Sequence, residues 1–159
     1  MIIREYENKD REQVLKCIIE LQDFERTLES DRLEGKKMAE KYLDYLLQER
    51  EKDKQWIFVS EEGETVVGFV SFWVEVDSEA MLAVTTHTCI YISDLVILPR
   101  HRNQGIGEAL MKKTEEVAKK EGINLAKVYV LAKNVKATDF YHKMGYRDYD
   151  IGLTKELDK

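Results

Sequence analysis

The stretch CIYISDLVILPRHRNQGIGEALMKK, residues 89–113, constrains the fold of this chain more than any other segment. Residues 89–98 are rich in β-branched and aromatic side chains, which predicts a buried central strand. Pro99 ends that strand, because proline cannot donate a hydrogen bond to a ladder. Apolar periodicity from Ile106 then predicts a helix that Gly122 terminates. A strand joined to a helix in this way is typical of α/β sheets.

The first third of the chain is predicted to hold one strand and two helices. IIREY at 2–6 is a short strand, and Asp10 with Gln13 forms a plausible capping pair for the first helix. A second helix is expected after Gly35. The apolar positions predicted to face a sheet are Val14, Leu15, Ile18, Ile19 and Leu21 on the first helix and Met38, Tyr42, Tyr45 and Leu46 on the second.

Strands dominate the middle of the chain. WIFVS at 56–60 and TVVGFVSFWVEV at 65–76 flank a tight turn at Gly63, which predicts an antiparallel hairpin, and Gly68 suggests a bulge. Residues 77–88 have an irregular pattern and are interpreted as a loop.

The last third is predicted to add two strands and a helix. LAKVYVL at 125–131 resembles a buried strand, and Asn134 is placed to cap a helix that ends at Gly145. YRDYDIGLTKEL at 146–157 is expected to form a last strand. The predicted order is β-α-α-β-β-β-α-β-α-β, an α/β (α+β) fold with a mixed central sheet and helices on both faces.

Length and composition bound the class of protein. The 159 residues suit one domain spanning 1–159. No apolar run is long enough to cross a bilayer and the start resembles no secretory signal, so a cytoplasmic protein without membrane contact is expected. The net charge of −6 disfavours nucleic-acid binding. Cys17 and Cys89 match no metal or redox spacing and are interpreted as small buried hydrophobes, and no metal is expected.

The segment RHRNQGIG at 100–107 predicts an anion site. The first N–H groups of a helix lack internal partners and the helix dipole makes that end partly positive, while glycine lets a ligand approach the backbone. Arg100 and Arg102 add positive charge, so a phosphate is the natural guest. A Walker A loop is excluded because GxxxxGK[ST] does not occur, and a GxGxxG dinucleotide fingerprint would need glycine at Leu110.

The segment resembles motif A of the GNAT superfamily of acyl-CoA N-acyltransferases, whose pattern [QR]xxGx[GA] is matched by RNQGIG at 102–107. The resemblance continues backward through DLVILP at 94–99 and forward to NVKATDFYHKMGY at 134–146, which is similar to motif B. It implies a single-domain GNAT fold and an N-acetyltransferase that moves an acetyl group from acetyl-CoA to a primary amine by direct attack in a ternary complex. A homodimer through the C-terminal strand or the central hairpin is compatible with this family.

The resemblance assigns the coenzyme A site by position. The pantetheine arm is expected to pair with the backbone of Leu95, Val96 and Ile97 and to contact Asn134, for which helix capping alone is the alternative role. Backbone amides that are expected to hold the pyrophosphate belong to Arg102, Asn103, Gln104, Gly105, Ile106, Gly107 and Glu108. Solvated loop arginines are the alternative interpretation of Arg100 and Arg102, and His101 is expected to be exposed.

Two residues are predicted to carry the proton transfers. Tyr141 lies two helical turns after Asn134 on nearly the same face, and the resemblance makes it the acid that protonates the leaving sulfur. Asp94 is a charge in an apolar strand, which favours a paired or functional group. We interpret it as the base or amine-binding group, with a structural hydrogen-bonding role as the alternative and His87 as a secondary candidate.

The acceptor amine is constrained only weakly. In relatives the first two helices and the loop at 77–88 line the acceptor side, and in this chain they carry acidic residues. These residues would attract a cationic amine, either of a small molecule or of a peptide. The alternative is that they are ordinary solvated surface. Phe24 and Tyr42 are possible pocket walls. The acidic residues are Glu20, Asp23, Glu25, Glu29, Asp31, Asp77 and Glu79. Two other classes remain open, a non-catalytic acyl-CoA sensor on the same fold and a nicotinamide-cofactor enzyme.

Overall fold

The computed structural model describes residues 1–52, 54–77 and 88–157. They divide into two compact units, Met1–Tyr129 and Val130–Lys159. The elements of the first unit are β1 (Ile2–Glu5), a 3-10 turn (Asn8–Asp10), α1 (Arg11–Leu28), α2 (Gly35–Lys52), β2 (Gln55–Glu62), β3 (Thr65–Val76), β4 (Thr88–Ile97), a second 3-10 turn (Pro99–His101), α3 (Ile106–Lys120) and β5 (Ala126–Val128).

The first unit is built on a five-stranded sheet in the order β1-β2-β3-β4-β5. The first four strands pair antiparallel in sequence order, and β5 runs parallel to β4. The parallel pair follows from the intervening α3, because parallel neighbours need a crossover connection. The predicted mixed α/β class is therefore confirmed.

Helices cover both faces of this sheet. On one face α1 and α2 bury a core that includes Val14, Leu43 and Ile57. The alternate residue Phe58 stacks on Phe72 and lies under Lys113 of α3, so α3 covers the opposite face. None of the described helices is long and apolar enough to cross a bilayer.

The buried face of α2 differs from the predicted one. Its fully buried positions are Ala39, Leu43 and Leu46, whereas Tyr45, predicted to face the sheet, is 48% exposed and stacks on Tyr42. Gly35 explains the position of the helix, because a Cβ there would lie 2.7 Å from the carbonyl oxygen of Ile19. The two helices thus approach closely at the start of α2.

A bulge at Ser93 changes which side of β4 is buried. Ser71 of β3 pairs with Asp94 and the next residue, Phe72, pairs with Ile92, so Ser93 is the extra residue. Ile90 and Ile92 are buried before the bulge, and Asp94 and Val96 are buried after it. Val96 belongs to the α1/α2 core. The bulge therefore brings Asp94 to the face that α1 and α2 cover.

The predicted cap of α1 is wrong. Asp10 lies at its N-cap position, but its side chain bonds Arg4 and the backbone N–H of Glu7 instead of the helix. Gln13 likewise accepts from the backbone N–H of Val66 at 2.8 Å. The strong charge-assisted bonds to Arg4 outcompete the weaker local cap.

Two strand predictions also need correction. The strand expected over 125–131 is limited to Ala126–Val128, because β4 changes course at the bulge after its third pairing residue, Ile92. Residues 146–157, all of them described, form neither helix nor strand, so the predicted last strand is absent. Asp148, Asp150 and Gly152 are poor strand formers, which explains why the predicted strand does not form.

The second unit contains α4 (Val135–Lys143). The side-chain oxygen of Asn134 accepts from the N–H of Ala137 at 3.2 Å, which confirms the predicted N-cap. At the other end Gly145 has φ 90°, the N–H of Tyr146 donates to Tyr141 O, and the N–H of Gly145 donates to His142 O. These two bonds form a Schellman motif, as the terminating glycine predicted.

Replacing Ser60 of β2 by alanine is expected to stabilise the protein by about 1 kcal/mol. Ser60 is fully buried, and among the described residues its hydroxyl oxygen has no hydrogen-bond partner. The substitution removes an unsatisfied polar group and keeps the strand backbone. Urea unfolding at pH 7 measures the effect, and a variant less stable than the wild type would contradict the assignment of this hydroxyl as unsatisfied.

Candidate active site

The carboxyl-terminal half of β4 has an open edge. β5 pairs with β4 only at Ile90, Tyr91 and Ile92, and no described strand pairs with residues 93–97 on that side. Leu95, Val96 and Ile97, the residues predicted to bind pantetheine, lie in this open half. An exposed strand edge offers N–H and C=O groups to an extended ligand, as in strand addition.

The loop after β4 exposes a run of backbone N–H groups. Gly105 is the N-cap of α3 with φ 79°, and Asn103 also has a positive φ of 60°. A Cβ on Gly105 would meet no atom within 4 Å, so the space beside this backbone is open. Ile106, Gly107 and Glu108 form the first turn of α3, where N–H groups lack intrahelical partners. This arrangement suits an oxyanion.

Side chains of the loop hold it against β4 and α1. Arg102 Nε donates to the carbonyl of Ile97 at 2.9 Å, and its Nη2 lies 3.4 Å from Glu20 Oε1. Gln104 Nε2 donates to the carbonyl of Arg100 at 3.2 Å. Arg102 thus anchors the loop and keeps a side chain that is 44% exposed. His101, expected to be exposed, is half-buried beside Glu62 at 3.2 Å, because the 3-10 turn directs it toward β2.

Asp94 is buried, with 6% exposure, and three hydroxyl groups converge on its Oδ2 atom. Ser71 Oγ lies at 2.5 Å, Tyr42 Oη at 2.8 Å and Ser93 Oγ at 2.8 Å. Burial raises the pKa of Asp94, and the three hydrogen bonds oppose that rise because they stabilise the ionised carboxylate. Asp94 is therefore paired, and a raised pKa also makes it a stronger proton acceptor.

Further ionisable groups surround Asp94. Burial raises the pKa of Tyr42, and the charge of Asp94 adds to the rise. Burial also raises the pKa of Glu25 on α1, with Arg32 opposing and Asp94 contributing. On β4, burial raises the pKa of Tyr91, whose ring lies 4.8 Å from that of Trp73. The side of the sheet that carries Asp94 is thus both aromatic and acidic.

The acidic residues predicted to lie on the acceptor side have different partners in the structure. Asp23 accepts from the N–H of Gly35 at 2.7 Å and so has a structural role at the start of α2. Glu20 pairs with Arg102, and Asp77 pairs with Lys127 at 2.5 Å. Glu25 is electrostatically coupled to Asp94, whose charge contributes to its raised pKa. His87 and Glu79 lie outside the described residues.

Asn134 and Tyr141 belong to the second unit. Asn134 begins α4 and Tyr141 lies in its last turn, 8% exposed. The ring of Tyr141 is held edge-on between Phe140 at 5.3 Å and Tyr146 at 5.4 Å. The Schellman motif places Tyr146 for that contact.

Ser71 and Ser93 were missed by the sequence interpretation. Both lie in strands rich in apolar residues, and Ser93 directly precedes Asp94. The adjacent polar pair SD in the run CIYISDLVIL was the available signal. The bulge that brings Ser71, Ser93 and Asp94 together depends on cross-strand register, which a single strand does not specify.

Comparison with known proteins identifies the family. The model described as Acetyltransferase (GNAT) family matches residues 19–146, so the chain belongs to that family and the resemblance of its motifs is confirmed. The thialysine N-epsilon-acetyltransferase of Sus scrofa is 42% identical over 59 residues, 37% of this chain and 35% of that protein. An uncharacterised N-acetyltransferase of Archaeoglobus fulgidus is 27% identical over 159 residues, 96% of this chain and 97% of its own.

The matches to the first four curated relatives cover only 35% to 48% of the length of those proteins. Solved structures agree over the whole chain. A tetramutant of the BH1408 protein from Bacillus halodurans has a TM-score of 0.82 at 20% identity and covers 99% of this chain and 100% of its own. An aminoglycoside N-acetyltransferase in complex with CoA has a TM-score of 0.70 at 12% identity, with the same coverage. At these low sequence identities, the structural similarity shows a shared fold and nothing about activity.

Proposed function

We propose that this chain is an acetyl-CoA-dependent N-acetyltransferase that transfers an acetyl group to a primary amine by direct attack. One observation carries the proposal: β4 supplies both the buried carboxylate of Asp94 and, directly after it, an open edge that leads into the N–H groups at the start of α3. A base, a strand edge for an extended thioester and an anion cradle thus follow one another along 94–108.

Coenzyme A fits the groups of the first unit. Its pyrophosphate suits the N–H groups from Arg102 to Glu108, and its pantetheine arm suits the edge from Leu95 to Ile97. Arg102 supplies charge from beside the loop. In this proposal Asn134 contacts the pantetheine as well as capping α4. Membership of the GNAT family, whose members use acetyl-CoA, supports the same ligand.

The reaction needs a proton acceptor. An alkyl ammonium with a pKa near ~10.4 is neutral in only about one molecule in a thousand at pH 7.4. Asp94 is proposed to remove that proton, because burial raises its pKa toward the working range of a base. A backbone N–H of Val96 or Ile97 would stabilise the charge that develops on the carbonyl oxygen. Tyr141 is proposed to protonate the sulfur that leaves.

Direct attack is favoured over a covalent cysteine intermediate. Cys17 and Cys89 are both fully buried. Burial raises the pKa of Cys17 to about 12 and also raises the pKa of Cys89. Since the thiolate is the nucleophilic form, neither thiol is activated. Cys89→Ser is accordingly expected to retain activity.

The acceptor is proposed to be a primary amine that carries a positive charge. Glu25 and the rings of Tyr91 and Trp73 near Asp94 suit such a group. Relatives named as thialysine and aminoalkylphosphonate acetyltransferases have amine acceptors of this kind.

Thiol release from acetyl-CoA by the purified protein tests the function. A panel of polyamines, aminoglycosides, amino acids and peptide amines is offered, with thermal shifts for coenzyme A and NAD measured in parallel. At a hundredfold excess over Kd, coenzyme A should stabilise the protein by about 2.7 kcal/mol. Amine-dependent release is expected. A shift without any release across the panel would favour an acyl-CoA sensor, and a shift with NAD alone would overturn the proposal.

Replacing Arg102 by glutamine is expected to weaken coenzyme A binding about tenfold or more, because a hydrogen bond to a charged group contributes about 1.5–3 kcal/mol. Calorimetric titration of coenzyme A measures the change in Kd. Arg11→Gln is the matched control, since it removes the same charge from the far end of α1, where Arg11 bonds Glu40 and Asp44. Equal loss in both variants would show a general charge effect and not a contact of Arg102.

A further inference from the structure

The hydroxyl groups around Asp94 come from three separate elements. Tyr42 is on α2, Ser71 on β3 and Ser93 on β4, and all three contact the same carboxylate oxygen, Oδ2. None of the hydrogen bonds between described residues ends on Oδ1. The two oxygens of Asp94 are thus in different surroundings, although the carboxylate itself is symmetric.

The serines are also linked to each other. Ser71 Oγ and Ser93 Oγ lie 2.5 Å apart, and Ser93 Oγ is 3.1 Å from the carbonyl of Ser71. Each hydroxyl has one proton, and donation to a carboxylate is stronger than donation to a neutral oxygen. Donation by Tyr42 and either serine already uses the two lone pairs of Oδ2. Oδ2 is therefore saturated.

We propose that Tyr42, Ser71 and Ser93 are positioning residues that hold Asp94 by Oδ2, so that Oδ1 alone takes the proton of the attacking amine. This inference rests on the proposed function of Asp94. In the step, an N–H bond of the ammonium breaks with its electron pair left on nitrogen. An O–H bond forms at Oδ1, and the carboxylate becomes a neutral acid while the three hydroxyl contacts to Oδ2 persist.

The bulge at Ser93 is what makes this arrangement possible. In a regular strand Tyr91 and Ser93 would share a face and Asp94 would point away from it. With the extra residue, Ser71 pairs with Asp94 and the two serines and the carboxylate meet. The register of β3 against β4 thus places the two serine hydroxyls beside the carboxylate.

Two further ionisable groups among the described residues are coupled to the charge of Asp94, and their effect must be separated from that of the hydroxyl groups. The charge of Asp94 contributes to the raised pKa of Glu25 of α1, itself paired with Arg32 at 3.5 Å, and to that of Tyr91 of β4. Neither makes a hydrogen bond to Asp94 among those described. The variants Tyr42→Phe, Ser71→Ala and Ser93→Ala leave both groups in place, so a change in titration can be attributed to the deleted hydroxyl.

Titration of Asp94 in the full-length protein tests the inference. The ¹³Cγ resonance of Asp94 is assigned as the signal missing from Asp94→Asn, and its pH dependence is followed in wild type and in the three variants. Removing a donor to the ionised form should move the midpoint to higher pH, and most in Tyr42→Phe, because after removal of either serine hydroxyl the other can still donate to Oδ2. The acid limb of kcat/KM should move likewise, with a loss of about threefold to tenfold on the acid side and less than about twofold on the alkaline plateau.

Ser60→Ala is the matched control, because it deletes a buried strand hydroxyl that has no partner among the described residues. Its titration should equal that of the wild type, and Ser71→Thr, which keeps a hydroxyl, should restore most of the Ser71→Ala shift. Midpoints that stay at the wild-type value in all three variants would overturn the positioning role. Since the NMR titration needs no turnover, a protein that lacks acetyltransferase activity would refute the proposed function while the midpoints still decide the positioning role.

Discussion

Replacing Asp94 by asparagine is expected to lower kcat/KM for amine-dependent thiol release by about 10²–10⁴-fold, the usual contribution of a positioned general base. Asparagine has the same shape and keeps an oxygen acceptor for Tyr42 and Ser71, which contact Asp94 at 2.8 and 2.5 Å. It cannot take a proton at neutral pH. The loss therefore reports proton acceptance and not a missing contact.

The pH dependence sharpens that test. Burial raises the pKa of Asp94, so the active, ionised form is lost as pH falls through a value above the usual carboxylate range. The wild type should show this acid limb in kcat/KM, and the residual activity of Asp94→Asn should lack it. Supplying more of the neutral amine by raising the pH should recover part of the variant's rate, because the base is then less needed.

Asp44→Asn serves as the control for the loss of one carboxylate. Asp44 lies on α2, is 54% exposed and pairs with Arg11 at 2.8 Å. Its activity should stay within about twofold of the wild type, as an exposed ion pair contributes little. If Asp94→Asn retained a third or more of wild-type kcat/KM at pH 7.4, Asp94 would be a structural acid, the alternative that the sequence left open.

The helices and strands were predictable where apolar periodicity agrees with the residues that begin or end an element. Gly122 and Gly145 both have positive φ and both end their helices with the Schellman bonds that terminating glycines predict. Pro99 lies two residues after the end of β4, and Asn134 caps α4 through its side chain. These signals are local, since each depends only on the conformation of a few adjacent residues.

Long-range pairing was not predictable. The segment 146–157 was predicted as a strand, yet its apolar residues Tyr149, Ile151 and Leu153 are 64%, 78% and 91% exposed. A strand needs a partner as well as a pattern, and the pattern does not name the partner. Asp10 was misassigned for the same reason, since its partner Arg4 lies on the preceding strand and not on the helix that Asp10 begins.

The sequence located the candidate site residues along the chain but not their contacts. The motifs located Asp94 and the loop at 102–107 correctly as adjacent parts of one strand-loop-helix segment. They could not show that Arg102 binds the carbonyl of Ile97, or that two serines support Asp94. Both contacts depend on the bulge and on the turn after Pro99. A shift of one residue in strand register would give each side chain there different neighbours.

Arg4 is expected to contribute strongly to the stability of the folded protein. Arg4 makes two hydrogen bonds to Asp10, from Nη1 to Oδ2 at 2.6 Å and from Nη2 to Oδ1 at 2.8 Å, and a third from Nε to Glu61 at 2.6 Å. The side chain of Asp10 is only 2% exposed. Arg4→Met is expected to lower the free energy of unfolding by about 3–5 kcal/mol, because it leaves a buried charge without its partner.

Arg11→Met is the matched control, since Arg11 also bridges two carboxylates, Glu40 and Asp44, but these are 65% and 54% exposed. The free energy of unfolding of Arg11→Met should fall by less than about 1 kcal/mol. Urea unfolding of both variants at pH 7 makes the comparison. Equal losses would show that Asp10 is solvated in the folded protein and that its burial does not govern the effect.

Acid should reduce the difference between Arg4→Met and the wild type. The hydrogen bonds from Arg4 hold the pKa of Asp10 below its usual value, so this pair stabilises the wild type above a pH of about 3.9 and loses its effect as pH falls through the lowered pKa. In the variant, burial without the guanidinium favours the neutral acid, so protonation relieves the buried charge at a higher pH. The loss in unfolding free energy should therefore be largest near pH 7 and shrink below about pH 4, and a loss that stayed constant across this range would assign the effect to packing of the Arg4 side chain.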